Sequence, residues 1–337
     1  MANLSTTYMG IQLKSPLILG SCNLVLQPGM AEQLESAGIG AIVYKSLFEE
    51  QIQLENLQLS EELSEYEYRN AEMEHLFPAI EHAGPKEHLY NIEKLKKKLS
   101  VPVIASLNAI YESTWIEYAK ELEKTGVDAL ELNLYATPGY FEEPGSLMEE
   151  RQIQIVESVK QAVKIPVGVK ISNQYTNPLN FIKRLDEAGA DGYVLFNRFF
   201  HPDIDTEIEN FHFPWNLSSP KDYLLALRFT GMLYGNLDGS ICASGGIYTA
   251  KDVLKMILAG ADAIQIVSAL YKYKPEIVSD ILMDLNNWMD EHQYKSLDEF
   301  RGNLSRIKLK DPYVYQRGQY VDILMKSEEV FKKYPMV

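Results

Sequence analysis

Apolar residues along this chain gather in short, nearly continuous runs, most of which stop at a small or polar residue. The runs are Pro16 to Cys22, Ala41 to Ser46, Val101 to Asn108, Ala129 to Tyr135, Ile165 to Ser172, Gly192 to Asn197, Ser240 to Gly246 and Ala263 to Ser268. Successive rather than alternate apolar positions predict parallel strands covered on both faces. Between the runs the period changes. Glu112 to Lys124 sets Trp115, Tyr118, Ala119 and Leu122 at helical spacing, and Glu149 to Val163, Asn180 to Ala188 and Thr249 to Ala259 behave alike. Three of these helices end in one device: Gly126-Val127-Asp128, Gly189-Ala190-Asp191 and Gly260-Ala261-Asp262. Such a glycine supplies the left-handed residue that stops a helix before the next strand, and Gly38 does the same after the first helix.

Eight strands alternating with helices predict an α/β fold, a TIM (β/α)8 barrel in a single domain with long βα-loop insertions. A doubly wound sheet is disfavoured, because no Gly-x-Gly-x-x-Gly turn follows the first strand. The barrel takes residues 1–305, and 306–337 form a C-terminal helical extension expected to pack on it. Two connections, 48–100 and 198–238, are too long for one plain helix. Such loops serve as lids or binding loops, or as interface and padding.

Charge narrows the function. The 337 residues carry 32 Lys plus Arg against 47 Asp plus Glu, a formal charge of −15, with acidity expected in outer segments such as 49–74. That balance repels polyanions. The basic cluster Lys94, Lys96, Lys97 and Lys98 reads as the solvated face of an amphipathic helix, so nucleic acid is not an expected partner. No run approaches the roughly 18 apolar residues of a membrane span, and the N-terminus lacks a signal-peptide layout. Two cysteines, Cys22 and Cys242, make no disulfide framework, so a cytoplasmic location is expected. His82, His88, His201 and His212 lie in the long loops without ligand spacing, so no metal is expected. A homodimer is the commonest soluble arrangement.

In a barrel the strand ends meet at one mouth, where the chemistry sits. Here they bring Cys22, Lys45, Asn108, Asn133, Lys170, Asn197, Gly245 and Ser268. A lysine there needs an anionic or electron-rich partner; a buried salt bridge with a carboxylate such as Glu131 is the structural alternative. The three asparagine amides suit a heterocycle with carbonyl and N–H edges, or simply cap loops. Gly245 and Gly246 let backbone N–H groups approach a phosphate, with the Ser268 hydroxyl nearby.

These stretches resemble the dihydroorotate dehydrogenases, most closely their soluble class 1 branch. The matching segments are Gly10 to Ile18, Val43 to Ser46, Leu130 to Asn133, Val167 to Lys170, the strand end at Asn197, Ser244 to Ile247 and Ile264 to Leu270. The resemblance implies an FMN-binding barrel in pyrimidine biosynthesis. It implies hydride transfer between the flavin and a small pyrimidine-like or enoate substrate. Lys45 and Asn133 would lie along flavin and substrate, and Lys170 would stabilise negative charge on the reduced ring. Asn108 and Asn197 would orient the ligands. Ser244, Gly245, Gly246, Val267 and Ser268 would hold the phosphate, with Cys22 and Ser46 also against the cofactor.

One departure stands out. The family keeps a cysteine or serine base three positions after the strand-four asparagine. Here Ala136 occupies that position and Pro138 replaces a following asparagine. Tyr135 and Thr137 flank the gap, and Thr137 joins Lys45, Asn133 and Lys170 as a candidate catalytic residue. Two other readings remain: a flavin-free lyase or aldolase barrel using Lys45 or Lys170 as Schiff base, and a non-catalytic flavin-binding homologue.

Overall fold

The computed structural model describes residues 2–53, 85–135, 141–199, 201–212, 217–326, 328 and 332. The eight apolar runs become β1 (Leu17–Leu19), β2 (Ala41–Val43), β3 (Val103–Asn108), β4 (Ala129–Leu134), β5 (Val167–Ile171), β6 (Gly192–Leu195), β7 (Ser240–Ser244) and β8 (Ala263–Ile266). Each pairs in parallel with the next, and β8 returns to β1 through Ile264↔Leu17, closing the expected barrel. Strand alternation sorts the side chains. Leu130, Leu132, Val167 and Val169 pack outward with the helices. Glu131, Asn133, Gly168 and Lys170 fall on the lumen side.

The helices between them are α1 (Met30–Ala37), α2 (Pro85–Lys98), α3 (Glu112–Lys124), α4 (Gly145–Ala162), α5 (Pro178–Glu187), α6 (Tyr223–Leu233) and α7 (Ala250–Ala259). α4 and α5 begin earlier than Glu149 and Asn180; Pro178 supplies a preset first turn for α5. The expected helix stops are present: Gly38, Gly126, Gly189 and Gly260 all have positive φ. The aspartate of the repeated device has a second use. Asp128 accepts from Val103 N, Asp191 from Val167 N and Asp262 from Ile241 N, at 2.7, 2.7 and 2.8 Å. Each carboxylate thereby ties the strand that follows it to the strand before, and each faces a cation: Lys96, Lys160 and Arg301. The basic cluster on α2 is largely spent in such pairs, Lys97 with Glu93 and Lys98 with Glu32.

The floor of the barrel is built by the N-terminus. Thr6–Tyr8 and Ile11–Leu13 form an antiparallel hairpin. Its Tyr8, Met9 and Leu13 pack with Ile18, Val43, Ile104, Val194 and Cys242 in an apolar cluster separate from the barrel–helix core. Gly168 and Gly192 make room for it: a Cβ would stand 2.6 Å from Met9 Sδ at the first and 2.7 Å from Met9 Cγ at the second.

The insertions are only partly as expected. In 48–100, residues Leu47–Phe48 extend the sheet beside Leu107 and Asn108, while 54–84, with His82 and most of the acidic stretch, lies outside the described residues. Glu49 departs from the expected outer acidic segment at that one position. It is buried and accepts from Ile110 N and Thr114 Oγ1, tying two mouth loops together. The segment 198–238 holds an exposed hairpin, Asp203–Asp205 with Asn210–His212, followed by α6. Beyond residue 305, Arg306 N donates to Gly231 O and the Arg228 guanidinium donates to Val314 O and Tyr315 O. The helix Arg317–Met325 buries none of its side chains. Among the described residues no helix is long and apolar enough to cross a membrane.

Candidate active site

Above its apolar floor the lumen turns polar and opens into a cavity of about 410 Å³ at the C-terminal strand ends. Cys22, Lys45, Ser46, Asn133, Lys170, Asn197, Ser244, Gly245, Gly246, Val267 and Ser268 all line it. Asn108 does not. Its Nδ2 donates to Asn133 O at 2.9 Å, so it holds the neighbouring strand end instead of facing the cavity. Thr137, Ala136 and Pro138 lie outside the described residues.

The side chains are held by short local networks. Asn197 Nδ2 donates to Asn133 Oδ1 at 2.6 Å, which leaves the Asn133 NH2 as that amide's donor. Ser46 Oγ shares hydrogen bonds with Ser21 and Ser106, a chain of hydroxyls across the tops of β1 to β3. Lys170, on β5, donates to Gln265 Oε1 at 3.3 Å. Gln265 donates in turn to Glu131 Oε2. The direct Lys170–Glu131 salt bridge considered from sequence is therefore replaced by an amide-bridged arrangement.

After β7, Gly245 and Gly246 have φ of 91° and 66°. A Cβ at Gly245 would meet no protein atom within 4 Å, so its backbone borders open space; one at Gly246 would strike Ser219 O at 2.5 Å. Ser268 Oγ accepts from Ser218 N at 3.0 Å, drawing the loop at 217–218 to the top of β8.

Burial sets the protonation states. Cys22 is pushed up to about 11 by desolvation, against a smaller pull from Lys170, so it is a neutral thiol at neutral pH. Burial lowers Lys45. His88, expected in a loop, sits on α2 with its ring edge-on to Tyr44 at 5.0 Å. Burial, and then the Lys45 charge, bring it down to about 4. Glu131 is raised by burial, with Lys170 and Gln265 pulling it back.

The sequence reading missed several wall residues. Gln265 could have been found by strand parity, being two positions after Ala263 on the lumen side. Phe48, Arg198, Leu217 and Ser218 come from the insertions, where no period points inward. Among the described residues no cluster of three or more His, Cys, Asp or Glu is arranged to hold a metal.

A family model described as dihydroorotate dehydrogenase matches residues 79–289. The catalytic subunit of dihydroorotate dehydrogenase B (NAD(+)) from Thermoplasma volcanium is 30% identical over 312 residues, covering 90% of this chain and 98% of the relative. The same-named subunit from Pyrococcus abyssi is 30% identical over 308 residues, with 89% and 98% covered. That from Methanocaldococcus jannaschii is 27% identical over 309 residues, with 89% and 97% covered.

Proposed function

The chain belongs to the dihydroorotate dehydrogenase family, and on that premise we propose that it is an FMN-dependent oxidoreductase of CH–CH bonds whose cofactor occupies the mouth cavity. The observation that carries the cofactor assignment is that one cavity is lined by two chemically different sets of residues, one from the tops of β2, β4, β5 and β6 and the other from the tops of β7 and β8. The first offers the cations Lys45 and Lys170 with the amides of Asn133 and Asn197. The second offers the positive-φ pair Gly245–Gly246 beside Ser244 and Ser268. Open space over Gly245 is what a phosphate cradle requires, so the residues present fit the group.

When bound, FMN would supply the two-electron carrier between substrate and acceptor. The protein would supply binding, orientation and charge. Lys170 stabilises negative charge on the ring edge, Lys45 attracts an anionic substrate group, and Asn133 and Asn197 orient substrate and ring as a mutually fixed pair. Asn108 acts one step back, by holding the Asn133 backbone. Ser244, Gly245, Gly246, Val267 and Ser268 take the phosphate. Neutral Cys22 packs against the cofactor, and Ser46 anchors the wall beside Lys45. Proton transfer falls to Thr137, the hydroxyl beside Ala136. The Schiff-base lyase is disfavoured by the family and by the Lys170–Gln265 hydrogen bond, which engages one of its two candidate amines.

Two spectra test this. The purified protein should be yellow, or turn so with added FMN, and anaerobic dihydroorotate should bleach the flavin band in stopped flow. A colourless protein that takes up no FMN overturns the cofactor assignment. A yellow protein that no dihydropyrimidine or enoate couple reduces or reoxidises identifies the non-catalytic homologue.

A further inference from the structure

We propose that Glu131 is the buried counter-charge of Lys170 and that, acting across Gln265, it limits how strongly this lysine favours negative charge on the flavin; the proposal rests on the FMN assignment above. Glu131 and Lys170 stand on adjacent strands. The register sets Glu131 opposite Gly168 and Asn133 opposite Lys170, so the carboxylate lies one lumen layer below the ammonium. Gln265 reaches in from β8, on the far side of the barrel from β4. Its NH2 donates to Glu131 and its carbonyl accepts from Lys170. An amide can make that pair of bonds in only one orientation, with an acceptor at its nitrogen and a donor at its oxygen. Gly20 leaves the room this side chain needs: a Cβ there would sit 3.0 Å from Gln265 Oε1.

All three groups are enclosed, with Glu131 at 2%, Gln265 at 1% and Lys170 at 8% exposure. Glu131 Oε1 is buried and has no hydrogen-bond partner among the described residues. Below lie Tyr8 and Cys242, both held neutral by burial. Asp262, lower still, faces Arg301. A buried ammonium needs a counter-charge. Direct contact would cancel its field at the ring, whereas separation by a neutral amide leaves part of that field directed into the cavity. Glu131 is thus a positioning residue: it touches no ligand and acts through Gln265 and Lys170.

Sulfite provides a readout independent of turnover. Its sulfur lone pair forms a bond to flavin N5 as the N5=C4a π bond opens, and that electron pair carries the added negative charge to the ring edge assigned to Lys170, bleaching the visible band. In the FMN-loaded protein, Glu131→Gln should bind sulfite at least about tenfold tighter, and Lys170→Met at least about tenfold weaker, than the parent. With Lys170 already replaced, adding Glu131→Gln should change the affinity by less than about threefold, because the pair no longer exists. If Glu131→Gln alone folds poorly, the Lys170→Met/Glu131→Gln double variant should recover the fold, since removing a whole buried pair is better tolerated than removing half. Sulfite affinity within about twofold of the parent in flavin-bound Glu131→Gln overturns the proposal, as does failure of the double variant to recover a defective single one. A parent protein that binds no FMN overturns the cofactor assignment, and this proposal with it.

Discussion

Lys45 lines the cavity and His88 stands near enough to feel its charge, and burial acts on both in the same direction, against the charged form. For His88 the consequence is a pH-dependent stability. Its ordinary value is about 6.5 and its folded value is about 4. Above the ordinary value it is neutral in both states and contributes nothing. Below it, the unfolded chain takes up a proton that the folded chain refuses, so stability is lost as pH falls from about 6.5 toward 4. Urea unfolding at about pH 7 and pH 5 should show the parent losing about 2 kcal/mol more than His88→Phe over that interval; equal losses would show that His88 does not titrate this way. Thr137 bears on rate instead. Thr137→Ala should slow flavin reduction by substrate on the order of 100-fold, with an unchanged visible spectrum and recovery in Thr137→Ser. Single-turnover bleaching measures it, and an unaltered rate would remove Thr137 from the proton path. At this scale the lysines and the double glycine were legible because they interrupt apolar runs, where few other residues could stand. The place of Gln265 on the lumen side follows from strand parity, but its bonds do not, because its partners lie across the lumen, 95 and 134 residues away in sequence.

The strand–helix alternation was legible because each strand is covered on both faces and each helix ends at a glycine. The aspartate two residues after that glycine was visible as a repetition, but its acceptor bond to another strand was not, since the pairing exists only once the barrel closes. Removing it leaves a strand amide without its partner and takes a carboxylate from a cation, Lys96, Lys160 or Arg301, of which Arg301 keeps Asp298. Asp128→Ala, Asp191→Ala and Asp262→Ala should therefore each cost about 1–3 kcal/mol in urea unfolding. The largest loss is expected at Asp262, whose partner Arg301 is itself buried. Losses below about 0.5 kcal/mol at all three sites would show that the clamps are dispensable. The floor hairpin escaped the sequence reading for another reason: strands of three residues, Thr6–Tyr8 and Ile11–Leu13, are too short to display a period. The cavity walls from the two insertions escaped it because loop residues follow none.

For the molecule as a whole, the formal charge of −15 and the cations at the mouth pull a dianionic cofactor in opposite directions. Which wins depends on distance. At about 0.01 M salt the screening length is about 30 Å and the entire acidic surface is felt; at about 0.15 M it is about 8 Å and only the mouth matters. The association rate of FMN with apoprotein should therefore rise with ionic strength, read from the flavin fluorescence change on rapid mixing. A falling rate would mean that the local cations dominate even at long range. The N-terminal hairpin adds something to this electrostatic picture that its location does not advertise. By stoppering the far end with Tyr8, Met9 and Leu13, it turns a pipe into a cup. Solvent can then reach the lumen only from above, and the amide-bridged charges sit against an apolar base. Residues 6–13, at the opposite end of the lumen from the mouth, thus serve as its electrical insulation.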